Sequence, residues 1–232
     1  MRLAYQPPYD WAAMLAFLSA RAISGLEIVE AGVYRRSISV NGQQGWLSVA
    51  PGAGDWLEAS VEFPDSTALP EIDRRLRAMF DLDARPELIN AQLACDPLMA
   101  QLVAARPGLR VPGAWDGLEL AIRAVLGQQI TVVAAIRLAG KLVAQYGQPL
   151  KTPHPGITHL FPTPEVLAAA DLAALGMPKA RGRTLSGVAQ ALLDDPQLFE
   201  PKASLQDGVA RLVALPGIGE WTAQYIAMRQ LR

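Results

Sequence analysis

The chain has 232 residues, 21 Lys+Arg against 22 Asp+Glu for a net charge of −1, and 51% hydrophobic residues. That apolar share, with 19% charged residues, excludes a wholly disordered chain and allows one large domain or two to three small ones. The single cysteine, Cys95, excludes an internal disulfide and a cysteine-rich zinc site, the lone His154 and His159 exclude a multi-histidine metal centre, and near-neutral charge makes no global electrostatic case for nucleic acid.

No apolar run reaches the roughly 18 residues of a membrane-spanning helix. The opening MRLAYQPPYDW lacks the basic and apolar regions of a secretory signal. A cytoplasmic location is expected, associated with the nucleoid in a bacterium.

Residues 10–21 (DWAAMLAFLSAR) predict a helix, with Asp10 placed to cap it and Trp11, Met14, Leu15 and Leu18 at helical spacing. Beyond Gly25 the period shortens to the alternating runs LEIVEAGVYRRSISV, GWLSVA and WLEASVEF, and Asn41-Gly42 between two of them marks a hairpin. Pro70–Phe80 predicts a second amphipathic helix that turns Ile72, Leu76, Met79 and Phe80 inward. Residues 1–87 therefore read as an α+β domain, an antiparallel sheet with two helices.

Pro86–Arg106 is helical in pattern and Arg106–Gly113 is a Pro/Gly-punctuated connector, so 88–115 stand apart as a helical segment. From Asp116 to Tyr146 a long periodic stretch predicts two helices interrupted near Gly127. Gln148–Pro164 is a proline-rich loop holding both histidines. Thr163 then caps a helix opening with Pro164-Glu165, and Asp171 starts a short one ending at LGMP. Lys179–Leu193 and Ser204–Leu215 follow, so residues 116–232 read as all-α.

The densest signal is Leu212–Arg229, LVALPGIGEWTAQYIAMR. One helix ends at Leu215, Pro216-Gly217-Ile218-Gly219 turns tightly, and a second helix begins near Glu220. Two glycines around one β-branched residue permit positive φ and close backbone approach. The second helix opens with unpaired amides, a ready site for a phosphate oxygen. An ordinary αα-turn with a glycine C-cap fits the same four residues.

LPGIGEWTAQYIAMR resembles the helix-hairpin-helix of the base-excision DNA glycosylases, in the branch acting on alkylated bases. WDGLELAIRAVLGQQITVVAAIRLAGKLVAQYG resembles the helical segment before it, and FPTPEVLAAADLAALGMPKARGRTLSGVAQAL the intervening helices. QPPYDWAAMLAFLSARA resembles the amino-terminal α+β domain of the 3-methyladenine DNA glycosylases II, the AlkA type. The matches are collinear and span essentially the whole chain.

The resemblance implies an α+β domain followed by an all-α helix-hairpin-helix glycosylase domain, with 88–115 contributing to a third. It implies base-excision repair: an alkylated base is flipped from double-stranded DNA into a pocket and its N-glycosidic bond hydrolysed. No lysine lies between Leu212 and Arg232, which fits a monofunctional hydrolase without a lyase step. By position in the family pattern, Trp221 and Tyr225 line the pocket, four apart on one helical face. Phe17 and Arg21 close its far side, and Gln128 is a pocket-side glutamine. Gln129 matches the residue that wedges into the minor groove, where the best-known relative carries an apolar side chain.

Gly217, Gly219 and Thr222 match DNA-contacting positions. The backbone carbonyls of Val213, Leu215 and Ile218 match positions that hold a monovalent cation; no cofactor is required. The residues themselves leave alternatives open: Trp221 and Tyr225 as core aromatics under the hairpin, Phe17 in the core with Arg21 solvated, and both glutamines as helix-end caps. Arg181 and Arg183 suit either phosphate contact or a solvated face.

The family's catalytic aspartate lies past the helix that starts at Trp221, beyond Arg232, and Glu220 does not match its motif. The resemblance therefore implies a chain cut short of that aspartate and of the closing helices that pack on the Pro86–Arg106 region. A monomer is expected. The competing reading is a non-catalytic damaged-DNA-binding module using the same hairpin, and a third is a helical protein without a nucleic-acid role.

Overall fold

The computed structural model describes residues 1–231. Five strands, β1 (Arg2–Ala4), β2 (Glu27–Glu30), β3 (Val33–Val40), β4 (Gln43–Pro51) and β5 (Trp56–Glu62), form one sheet in the order β1-β5-β4-β3-β2. Every pairing is antiparallel. Asn41 and Gly42, at φ of 51° and 75°, make the two-residue turn that pairs Val40 with Gln43. Helix α1 (Trp11–Ser19) is capped by Asp10, whose carboxylate accepts from the Ala13 amide. With α2 (Leu69–Phe80) it covers one face of the sheet, burying Met14, Leu18, Ile72, Leu76 and Phe80 against Tyr34, Ile38, Leu47 and Leu57.

The helical stretch predicted over Pro86–Arg106 divides into α3 (Pro86–Leu93) and α4 (Pro97–Ala105). Pro97 has no amide to continue the α3 ladder, and Asp96 caps α4 by accepting from the Leu98 and Met99 amides. Only Pro86 of this pair is buried, and Leu88, Ile89, Leu98 and Leu102 face outward.

The remaining helices are α5 (Gly117–Leu126), α6 (Val132–Tyr146), α7 (Pro164–Ala169), α8 (Lys179–Asp194), α9 (Leu205–Val213) and α10 (Glu220–Gln230), with a 3-10 turn at Leu172–Leu175. Helix α5 is buried along nearly its whole length, which its sequence GLELAIRAVL allows on every face except at Glu119 and Arg123. It is the axis of the second core, flanked by Leu142, Leu185, Leu212 and Ile226.

The two cores are tied across their seam. Ile23 and Leu26, from the sheet unit, belong to the helical core, and Trp115 of the connector belongs to the sheet core. The loop holding the histidines straps the sheet: the Thr158 and His159 amides donate to the Gly25 carbonyl, and Ser37 Oγ donates to the His159 carbonyl. Beneath them lies a buried charge cluster. Arg36 of β3 meets Glu119 of α5 at 2.6 Å, Arg123 bridges Glu119 (2.7 Å) and Glu27 (2.6 Å), and Tyr34 Oη donates to Glu27 at 2.5 Å. Burial alone would raise the Glu119 pKa, but the Arg36 and Arg123 guanidinium groups outweigh it and hold it at about 2. Among the described residues, no helix is long and apolar enough to cross a membrane.

Candidate functional site

At the seam, α1, α5, α6, α10 and the connector enclose a cavity of about 240 Å³. Phe17 and Arg21 form one wall, and Trp221 and Tyr225 the other. The four-residue spacing on α10 stacks the two rings, with centroids 5.7 Å apart and planes within 5°. Trp221 is 75% exposed, so it is no core residue; Tyr225 is half-buried against the helical core.

A residue outside the sequence-based set joins these two walls. Arg229, one turn beyond Tyr225, donates to Tyr225 Oη (2.5 Å) and to the carbonyls of Pro112 (2.7 Å) and Gly113 (2.8 Å). Its guanidinium lies 4.9 Å from the Phe17 ring and 5.3 Å from the Tyr225 ring, while Arg21 lies 4.0 Å over Phe17. Burial lowers the Arg229 pKa from its ordinary value. Among the described residues neither Arg21 nor Arg229 makes an ion pair, whereas the two acids on the wall, Glu27 and Glu119, are both taken up by arginines. The spacing of Arg229 on the Trp221/Tyr225 face was a signal that sequence could have offered. The Arg36–Glu119 pair, 83 residues apart in the chain, gives none.

Beside the cavity, α9 and α10 form the hairpin. Gly217 takes φ of +88°, and a Cβ there would stand 2.1 Å from Thr184 Oγ1. Gly219 differs from the sequence-based expectation: its φ is −86°, and a Cβ would meet no atom within 4 Å. Only Gly217 is required by backbone geometry and packing. Gly219 leaves the first amides of α10 uncovered, as approach by an external anion would need. Gly217→Ala is therefore expected to cost about 1–2 kcal/mol in urea unfolding, from left-handed strain and the Thr184 collision. Gly219→Ala should leave stability within about 0.5 kcal/mol but weaken duplex binding.

One assignment differs. Gln128 does not line the cavity: its Nε2 donates to the Gly217 carbonyl (3.0 Å) and to Thr222 Oγ1 (3.2 Å). The Thr222 side chain, only 4% exposed, holds the hairpin from inside. The cause is that the α5–α6 turn packs directly on the hairpin, where an unpaired carboxamide would be costly. Arg181 braces the same turn, donating to the Gln128 carbonyl at 2.5 Å, while Arg183 is exposed. Gln129 projects from the turn into solvent. At the end of α9 the Leu215 carbonyl accepts from the Ile218 amide at 3.0 Å. Val213 is the last residue of α9, and Leu215 and Ile218 lie in the turn that follows it.

A strapped sheet unit, a helical unit and an aromatic cleft beside a Gly-turn hairpin define the helix-hairpin-helix DNA glycosylase fold. The structure matches a 3-methyladenine DNA glycosylase from Archaeoglobus fulgidus with a TM-score of 0.84 at 21% identity, covering 97% of this chain and 77% of that one. It matches an 8-oxoguanine glycosylase/lyase from Clostridium acetobutylicum, solved with double-stranded DNA, with a TM-score of 0.64 at 14% identity, covering 90% and 79%.

Residues 1–116 match the AlkA N-terminal domain family. Over 231 residues the chain is 38% identical to DNA-3-methyladenine glycosylase 2 of Escherichia coli, covering 98% of this chain and 79% of that protein. The chain belongs to the AlkA family of DNA-3-methyladenine glycosylases. It is also 38% identical to a probable bifunctional transcriptional activator/DNA repair enzyme AlkA of Mycobacterium tuberculosis, all of this chain aligning with 46% of that protein. The chain thus spans about half the length of its mycobacterial relative.

Proposed function

We propose that this protein, in the cytoplasm and as a monomer, takes an alkylated base from duplex DNA into the cleft between Phe17 and the Trp221–Tyr225 pair, for hydrolysis of its N-glycosidic bond. The observation that carries this reading is the stacked, exposed aromatic wall beside a hairpin with uncovered amides. Flipping costs a few kcal/mol of unstacking, which ring-on-ring contact in the cleft offsets. A methylated purine is already cationic, so it departs without a strong general acid. What remains necessary is a carboxylate that stabilises the oxocarbenium-like transition state and orients water.

No carboxylate among the described residues stands ready on the cleft wall, because Glu27 and Glu119 are bound to arginines. The hydrolysis calls for a carboxylate that Glu27 and Glu119, both held by arginines, do not supply. The unpaired Arg21 and Arg229 would keep such a carboxylate ionised, and until it is present they oppose a cationic base. This is the observation that favours the second reading, a damage-binding module, for these residues taken alone. A monovalent cation at Val213, Leu215 and Ile218 would supply positive charge toward a backbone phosphate.

The test is equilibrium binding of the 232-residue chain to a duplex carrying a methylated purine on a 2′-fluorinated sugar, which resists base loss. At least about tenfold tighter binding than to the unmodified duplex is expected. Equal affinity for the two would sink the proposal. Release of methylated purines from an unprotected alkylated duplex would show that a carboxylate within these residues performs the hydrolysis, while binding without release supports the module reading.

A further inference from the structure

The polar side chains on the cleft wall fall into two groups. Glu27, Glu119, Arg36 and Arg123 satisfy one another in the buried charge cluster. The others, Arg21, Arg229, Tyr225 and the indoles of Trp115 and Trp221, all carry donors, and of these only Tyr225 can also accept. Arg229 already occupies that acceptor, since its Nη1 donates to Tyr225 Oη at 2.5 Å.

A guanidinium has no lone pair to accept with, so the direction of this bond is fixed and the Tyr225 hydroxyl proton must point elsewhere. It meets no acceptor among the described residues. Arg229 is itself anchored, because Nε and Nη2 donate to the carbonyls of Pro112 (2.7 Å) and Gly113 (2.8 Å). Deeper than the exposed Trp221 indole, the half-buried Tyr225 thus carries a hydroxyl held in one orientation with its proton unused. An unpaired donor away from water is costly, and an arriving acceptor relieves that cost.

We propose that Tyr225 is a specificity-determining donor, giving its hydroxyl proton to a ring nitrogen or carbonyl oxygen on the edge of the base in the cleft. Arg229 is the positioning residue that keeps the hydroxyl turned that way. The inference rests on the function proposed above and adds to the stacking argued there. The two rings lie parallel with centroids 5.7 Å apart, so a base on the Trp221 face brings its leading edge to Tyr225. Stacking is tolerant of base identity, since every base has a π-face. A fixed donor is not: it separates an edge that offers an acceptor from one that offers an amino group or a carbon.

The experiment measures binding to two duplexes. One carries 7-methylguanine on the 2′-fluorinated sugar, whose O6 and N3 can accept; the other carries 4-methylindole, a purine-shaped base with no acceptor. Tyr225→Phe keeps the ring and should weaken binding of 7-methylguanine about fivefold more than binding of 4-methylindole, the worth of one net hydrogen bond. Arg229→Lys, also a donor only, should keep the wild-type ratio of the two affinities. Arg229→Gln, whose carboxamide can accept the hydroxyl proton, should lower that ratio about as far as Tyr225→Phe does. Both duplexes are read on the same protein, so a general loss of stability cancels. Equal losses on the two duplexes in Tyr225→Phe, or no loss on either, overturn the donor role. A ratio that falls alike in Arg229→Lys and Arg229→Gln, or holds in both, overturns the positioning role. Should wild-type protein bind the 7-methylguanine duplex no better than intact DNA, the proposed function itself fails, and this inference with it.

Discussion

Glu119→Gln is expected to destabilise the protein by about 3–5 kcal/mol, the usual cost of removing one partner from a buried ion pair. Arg36 and Glu119 side chains are 2% and 4% exposed, so the guanidinium left behind has no water to turn to. The double variant Arg36→Met/Glu119→Leu should lose far less, because it removes both charges and fills the space with apolar atoms. Urea unfolding at neutral pH measures all three.

The same carboxylate sets an acid limit. Its folded pKa of about 2 lies below that of an ordinary glutamate, so its stabilisation is complete above the unfolded value and is lost as pH falls through about 2. Wild-type stability should therefore decline on the acid side, and more steeply than that of Glu119→Gln. Parallel pH profiles would refute the ion-pair account.

Trp221→Ala should act in the opposite way, on binding and not on folding. The indole is 75% exposed, so stability should stay within about 0.5 kcal/mol. A base stacked on it is worth about 1–3 kcal/mol, and affinity for the protected methylpurine duplex should fall about 5- to 150-fold. Affinity for unmodified duplex should hardly change. Equal affinity of wild type and variant for the lesion duplex would remove Trp221 from the cleft's role.

The elements were legible wherever period and punctuation agreed. Asn41-Gly42, the Ile72/Leu76/Phe80 face, Asp10, Thr163 and the break at Gly127 all lie where local rules put them. The split of α3 from α4 at Pro97 was also written locally, yet a continuous apolar pattern overrode it. Trp221, Tyr225, Phe17 and Arg21 line one cavity.

Illegible were the contacts that only tertiary packing creates. Gln128 turns from the cleft to the hairpin because α5–α6 sits on α9–α10, and nothing in GQQIT states that. The spacing of Arg229 puts it on the Trp221/Tyr225 face, but its bonds to the Pro112 and Gly113 carbonyls come only from the fold. Arg36 lies in an alternating strand whose pattern would equally allow an exposed position.

That cluster also bears on how the molecule comes into being during synthesis. The likeness to the AlkA N-terminal domain family ends at residue 116, yet Arg36 and Glu27 find their counter-charges at Glu119 and Arg123, just past that boundary. The sheet can pair its strands as soon as they emerge, setting Glu27 opposite Arg36, but neither meets its partner on α5 until that helix arrives. A nascent chain is thus held back from settling as a half-molecule, and the cleft wall and the fold that supports it are completed in one step.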